Sequence, residues 1–255
     1  MSDRQSSEAS AEASSAAPSP PPDVNRGQQP TRLETFVDAA FAFALTMLVI
    51  SVDQVPETFD QLLEALKRVP GFAASFAILL MFWHGHYRWS RRYGIEDTGS
   101  VVLSLMLVFL VLVFLYPLRL MMSGALQSMS GGYLPGEIEI TRIAHLQFLF
   151  VLYGVAFMLM SGVLLLLYAR VRRMPLEPAL SAEDRAVAGV EVQAWSILAA
   201  MGATSALLAL VLPPKQIGFA VWLYASLAFV MPLMSRRWKR QVERIVAAQS
   251  AGDAT

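Results

Sequence analysis

Apolar residues in this chain gather into six long blocks separated by short polar segments, with no strand-like alternation between them. The blocks cover roughly residues 36–52, 72–89, 101–122, 146–168, 192–212 and 217–234. In the first, fourteen residues without an ionisable group lie between Asp38 and Asp53. With the flanking turns they approach the ~20 residues that a helix needs to cross ~30 Å of hydrocarbon. The segment from Glu57 to Arg68 places Phe59, Leu62, Leu63 and Leu66 at helical spacing, which predicts a short interfacial helix before the second span. Pro117 and Arg119 mark the expected exit of the third span from the bilayer, and the Pro213-Pro214 pair ends the fifth. The fifth block is rich in Ala and Gly, which permits close helix–helix approach.

Composition agrees with this pattern. The chain has 255 residues, of which 55% are hydrophobic, and only an integral membrane protein accommodates such blocks. The expected class is all-α, with six transmembrane helices in a domain spanning 32–235. Residues 1–31 are Ser-, Ala-, Pro- and Gln-rich with no apolar periodicity, and they read as a disordered cytoplasmic tail. No basic start followed by an apolar run precedes Phe36, so the first helix is expected to act as its own targeting signal. Residues 236–255 form a basic juxtamembrane tail suited to anionic headgroups.

Acids and bases balance at 20 each, so the net charge says nothing about partners. Their distribution does. Fifteen basic residues fall on the side of the N-terminal tail, the 2–3 loop, the 4–5 loop and the C-terminus, against five on the other side (Lys67, Arg68, Arg119, Arg142 and Lys215). The positive-inside rule therefore predicts both termini in the cytoplasm.

Candidate chemistry is sparse. The chain has no cysteine, which excludes disulfides and cysteine-zinc sites, and it has no G-x-S-x-G sequence for nucleophilic catalysis. His84 and His86, two residues apart, point about 200° apart on a helix and cannot share one metal ion. A membrane enzyme would need His86 and a helix-end acid to converge on one cavity. No span carries a central Asp, Glu, Lys or Arg of the kind that relays protons, which disfavours a pump. No cofactor and no nucleic-acid partner are implied.

The first helix differs from the others. From Asp38 onward, Ala39, Phe43, Thr46, Ile50 and Asp53 follow a spacing of four, three, four and three, with Met47 beside them. One stripe thus holds small, bulky apolar, hydroxyl and acidic groups. A packed helix interface is one reading, in which Thr46 bonds back to the carbonyl four residues earlier.

The same residues resemble a known family. Arg32, Phe36 and Asp38 in RLETFVDAAFAFALTMLV resemble the R-x-x-x-F-S-D signature that opens the first helix of lysosomal and prokaryotic TMEM175-type potassium channels. Trp83 and His86 in FWHGHYR resemble that family's W-x-x-H near the end of helix 2, and LSLMLVFLVLVFLYPL resembles its third helix. The likeness covers about residues 32–120. It implies a six-helix subunit of a homotetramer whose first helix lines the pore, with potassium as the permeant ion and no P-loop. Indeed no T-V-G-Y-G-like filter is present.

Carried over by position, the resemblance assigns Phe43, Met47 and Ile50 to an apolar constriction and Thr46 to a hydroxyl ring linked to potassium preference. Asp53 then attracts cations at the outer mouth. Arg32, Phe36, Asp38, Trp83 and His86 form a structural network. Two departures stand out: Val37 replaces the signature serine, and Phe43 replaces a branched aliphatic residue at the first constriction. A single six-helix unit implies a prokaryotic plasma membrane. The competing reading is a non-conducting scaffold or small-solute transporter that uses the same face of helix 1 as an oligomer interface.

Overall fold

The structure is a computed structural model that describes residues 30–50, 56–137, 142–174 and 180–213. Those residues form five α-helices: α1 (Arg32–Ile50), α2 (Phe59–Tyr93), α3 (Thr98–Met129), α4 (Ile143–Arg173) and α5 (Ala182–Val211). Of these, α2 to α5 are long and apolar enough to cross a membrane. The described length of α1 is shorter and opens with Arg32, Glu34 and Asp38. The expected sixth span, Asp53, residues 1–29 of the N-terminal tail and the whole C-terminal tail lie outside the described residues.

Four of the five helix starts carry a side-chain cap, the exception being α4, which opens at Arg142 without one. Thr31 Oγ1 accepts the Glu34 N–H at 3.1 Å, opening α1. At α2, Thr58 and Gln61 form a reciprocal capping box, and the helix stops at Gly94, whose φ of 56° suits the left-handed C-cap. Asp97 caps α3 by accepting the Gly99 N–H at 3.0 Å, and Ser181 Oγ caps α5 by accepting the Asp184 N–H at 3.0 Å.

Two boundaries differ from the sequence reading. The stretch 57–68 is not a separate interfacial helix, because its residues from Phe59 onward are the opening turns of α2, which is 35 residues long and spans ~52 Å. Pro70 sits inside that helix and costs it a backbone bond without ending it. Likewise Pro117 and Arg119 lie within α3, which continues to Met129.

Neighbouring helices run antiparallel, as the paired residues show. Asp38 and Glu34 of α1 meet Trp83 and Arg91 of α2, while Gln147 of α4 meets the carbonyl of Ala209 in α5. The α4–α5 pair packs backbone to backbone. A methyl group on Gly202 would lie 2.5 Å from the Met158 nitrogen and 2.7 Å from the Gly154 oxygen, so only glycine permits this crossing. The inner side of α1, formed by Val37, Phe41, Ala44 and Leu48, is buried against the bundle with Phe82, Leu107 and Leu164 in the same core.

Candidate functional site

The C-terminal half of α2 is the hub of the polar contacts. Toward α1, Trp83 Nε1 donates to the Asp38 carboxylate at 2.8 Å, and Arg91 forms an ion pair with Glu34 at 2.8 Å. Glu34 is only 1% exposed and also accepts from Ser90 Oγ at 3.2 Å. Between these anchors, Tyr87 stacks on Trp83 with centroids 5.3 Å apart, and the Arg91 guanidinium lies 5.8 Å from the Tyr87 ring. Trp83, Tyr87 and Arg91 are spaced by four, so they form one ladder along α2, held at its ends by two α1 acids that are also four apart.

Other faces of α2 reach the remaining helices. His86 is fully buried and shares a 2.9 Å hydrogen bond with Ser104 of α3. Arg88 pairs with Glu191 of α5 at 2.8 Å, and Trp195 Nε1 donates to the same carboxylate at 3.1 Å. Arg92 pairs with Glu183 and Asp184 at the start of α5. From α4, Tyr168 donates its hydroxyl to the Gly85 carbonyl at 3.0 Å. Asp97 and Arg170 tie the start of α3 to the end of α4. Burial alone would raise the Asp97 pKa. Hydrogen bonds from Ser100, Gly99 and Arg170 favour the carboxylate and hold it below the usual aspartate value.

These contacts fix α1 by one side and leave the other open. Arg32, Thr35, Phe36, Ala39, Ala42, Phe43, Thr46 and Val49 are exposed, and together they trace one stripe along the helix. Phe43 is 57% exposed and Phe36 53%. Thr46 Oγ1 donates to the Ala42 carbonyl at 2.9 Å. Met47 is half-buried at the edge of the stripe and packs against the core. Ile50 is the last described residue of α1, and its side chain lies outside what the structure describes. Among the residues expected to form a network, Asp38 and Trp83 are joined directly, His86 faces α3, and Arg32 and Phe36 lie on the open face.

The open stripe of α1 is unlike the exposed stripe of α3. The α3 stripe is Val102, Leu105, Met106, Phe109, Leu112, Val113 and Tyr116, apolar or aromatic throughout, as lipid requires. On α1 two hydroxyl residues and two alanines alternate with phenylalanines. Small and polar residues on a membrane helix suit close packing or contact with water rather than acyl chains.

Sequence reasoning missed Glu34, Ser90 and Arg91, and also the Arg88–Glu191–Trp195 cluster. The signal available for the first group was the four-residue spacing on both helices, with acids at 34 and 38 facing an aromatic-to-basic run at 83, 87 and 91.

Comparison with known proteins agrees with the resemblance. The family described as "Endosomal/lysosomal potassium channel TMEM175" matches residues 32–117. A relative from Marivirga tractuosa named "Potassium channel" is 34% identical over 154 residues, which cover 58% of this chain and 62% of that protein. The crystal structure of a variant of the potassium channel MtTMEM175, in complex with a nanobody fusion, aligns with a TM-score of 0.69 at 28% identity. It covers 86% of this chain and 99% of that one. A lysosomal potassium-selective channel TMEM175 homolog from Chamaesiphon minutus shares the fold, with a TM-score of 0.53 at 20% identity over 81% of this chain and 96% of that one. All are named as channels.

Proposed function

We propose that this chain, a member of the TMEM175 family, is a potassium-selective or potassium-preferring leak channel of a prokaryotic plasma membrane, formed by four copies with both termini in the cytoplasm. The observation that carries this reading is the open face of α1, which is too polar and too small-residued for lipid and is held in place by the ladder behind it.

In such a tetramer four Phe43 rings narrow the path, with Ile50 one step beyond and Met47 at the flank. Bulky apolar rings disfavour a continuous water column, so the pore closes by dewetting. Four Thr46 side chains lie one turn away. Each hydroxyl proton is engaged by the Ala42 carbonyl, which leaves the oxygen lone pairs to face a cation. A ring of such oxygens partly replaces lost hydration, which is least costly for a weakly hydrated ion such as potassium. Asp53 then raises the cation concentration at the outer mouth. Val37, where the family signature has serine, is fully buried against the core, so its change removes a hydroxyl without opening a hole.

The test is potassium flux from liposomes containing purified protein. Flux above that of empty vesicles is expected, and Phe43→Ala should raise it by widening the constriction. Absence of flux in both proteins would overturn the reading in favour of a non-conducting scaffold.

A further inference from the structure

Arginines crowd the end of the bundle where α4 stops and α5 begins, and they fall into two groups. Arg88, Arg91, Arg92 and Arg170 each pair with a carboxylate from another element. Arg172 and Arg173, in the last turn of α4, and Arg185, near the start of α5, are exposed, and none of them forms an ion pair among the described residues. The packing of the two helices sets them at one level. Gly154 meets Gly202 and Ala206, and Gly202 meets Met158, so equal rise along both helices puts Arg173 level with residues 183–187. The helix dipole accounts for Arg172 and Arg173 at a C-terminus but not for Arg185, because a cation is unfavourable near an N-terminus. The acids beside Arg185, Glu183 and Asp184, are engaged by Arg92.

The side of α4 that leads up to these charges is open and apolar. Leu159 is 40% exposed and Leu166 52%, and with Arg173 they recur every seven residues, so they share one face of the helix. Between the leucines, a methyl group added at Gly162 would meet no atom within 4 Å, which leaves a recess in the stripe. Gly162 lies ~16 Å along the helix from Arg173, close to the depth of one leaflet of a ~30 Å hydrocarbon layer. Forked guanidinium donors match phosphate oxygens, and an acyl recess lies one leaflet's depth from them. We propose that Arg172, Arg173 and Arg185 bind the phosphate headgroup of an anionic phospholipid, with one acyl chain laid along Leu166, Gly162 and Leu159. The site concerns the surrounding membrane rather than the pore, and it stands whether or not the chain conducts potassium.

The full chain, purified in detergent, is titrated with phosphatidylglycerol or with phosphatidylcholine of the same chain length, and native mass spectrometry gives the dissociation constant of the first lipid bound per chain. The parent should hold phosphatidylglycerol about tenfold more tightly than phosphatidylcholine, since basic residues near a headgroup layer attract anionic lipid strongly. The triple variant R172Q/R173Q/R185Q should erase that preference. R236Q/R237Q/R240Q removes the same number of charges from the C-terminal tail and should keep the preference nearly intact. Equal loss in both triples would overturn the site, because general attraction to a basic end would then suffice. Gly162→Leu fills the recess and should weaken long-chain phosphatidylglycerol several-fold while leaving the dihexanoyl form unchanged. Equal affinity of the parent for the two lipids would overturn the proposal, as would an intact preference in R172Q/R173Q/R185Q. If that triple does not fold, Arg173→Gln alone should lose a measurable part of the preference, and no loss would be equally fatal. Inorganic phosphate should not compete with the lipid, and effective competition would overturn the lipid assignment in favour of a free phosphate site.

Discussion

Trp83 and Asp38 join α2 to α1 through one hydrogen bond, with the indole N–H donating to the carboxylate at 2.8 Å. Asp38 sits at the margin of the open face, so this bond helps to fix the rotation of α1 about its axis.

Trp83→Phe keeps a ring to stack on Tyr87 but removes the donor. A hydrogen bond to a charged group contributes ~1.5–3 kcal/mol, so stability should fall by about 2 kcal/mol. Thermal unfolding in detergent measures this, and Asp38→Asn, which retains an acceptor, should lose less than Asp38→Ala.

The Glu34–Arg91 pair predicts an asymmetry. Glu34 is 2% exposed in its side chain and Arg91 34%, so an unpaired Glu34 has no access to water while an unpaired Arg91 does. Removing one partner of a buried pair costs ~3–5 kcal/mol when the other is left buried. Arg91→Gln should therefore approach that loss, and Glu34→Gln should cost clearly less. The double variant should be no worse than Arg91→Gln alone, a non-additivity that a double-mutant cycle detects.

Acid should weaken the join between α3 and α4. The folded-state pKa of Asp97 lies below its unfolded value, so the unfolded chain binds the proton more readily. The stabilisation is present above about pH 4, the ordinary aspartate range, and is lost as pH falls through the lower folded-state value. The melting temperature should drop across this acidic window, and Asp97→Asn should lower it at neutral pH while shrinking the acid-dependent drop. An undiminished acid-dependent drop in Asp97→Asn would place the titration elsewhere.

Spans two to five were legible because lipid imposes long apolar runs whatever the tertiary partners. The mixed stripe on α1 was legible from the spacing of Ala39, Phe43 and Thr46. The length of α2 was not. Pro70 and the charged run before it signal a break, yet the capping box at Thr58 and continued backbone bonding carry one helix through. Nor were the roles of Arg88, Arg91 and Arg92 legible. As a cytoplasmic flank they read as an orientation signal, and only the fold brings Glu191, Glu34 and Asp184 to meet them. The glycine crossing of α4 and α5 was foreshadowed by the small residues of α5, but its partner Gly154 stands alone among bulky neighbours in sequence.

Thr46 separates packing from selectivity. Its hydroxyl already bonds within its own helix, so α1 does not need it for folding, and Thr46→Val keeps the shape while removing the oxygen. If that oxygen contributes about 1 kcal/mol more to potassium than to sodium, the permeability ratio should fall roughly fivefold. Reversal potentials under potassium/sodium gradients measure the ratio, and size-exclusion chromatography reports assembly. Thr46→Ser, which keeps the oxygen in the same place, should retain most of the preference. Loss of assembly in Thr46→Val with an unchanged ratio in the remaining channels would make Thr46 a packing residue, and the preference would then have to arise elsewhere on the α1 face.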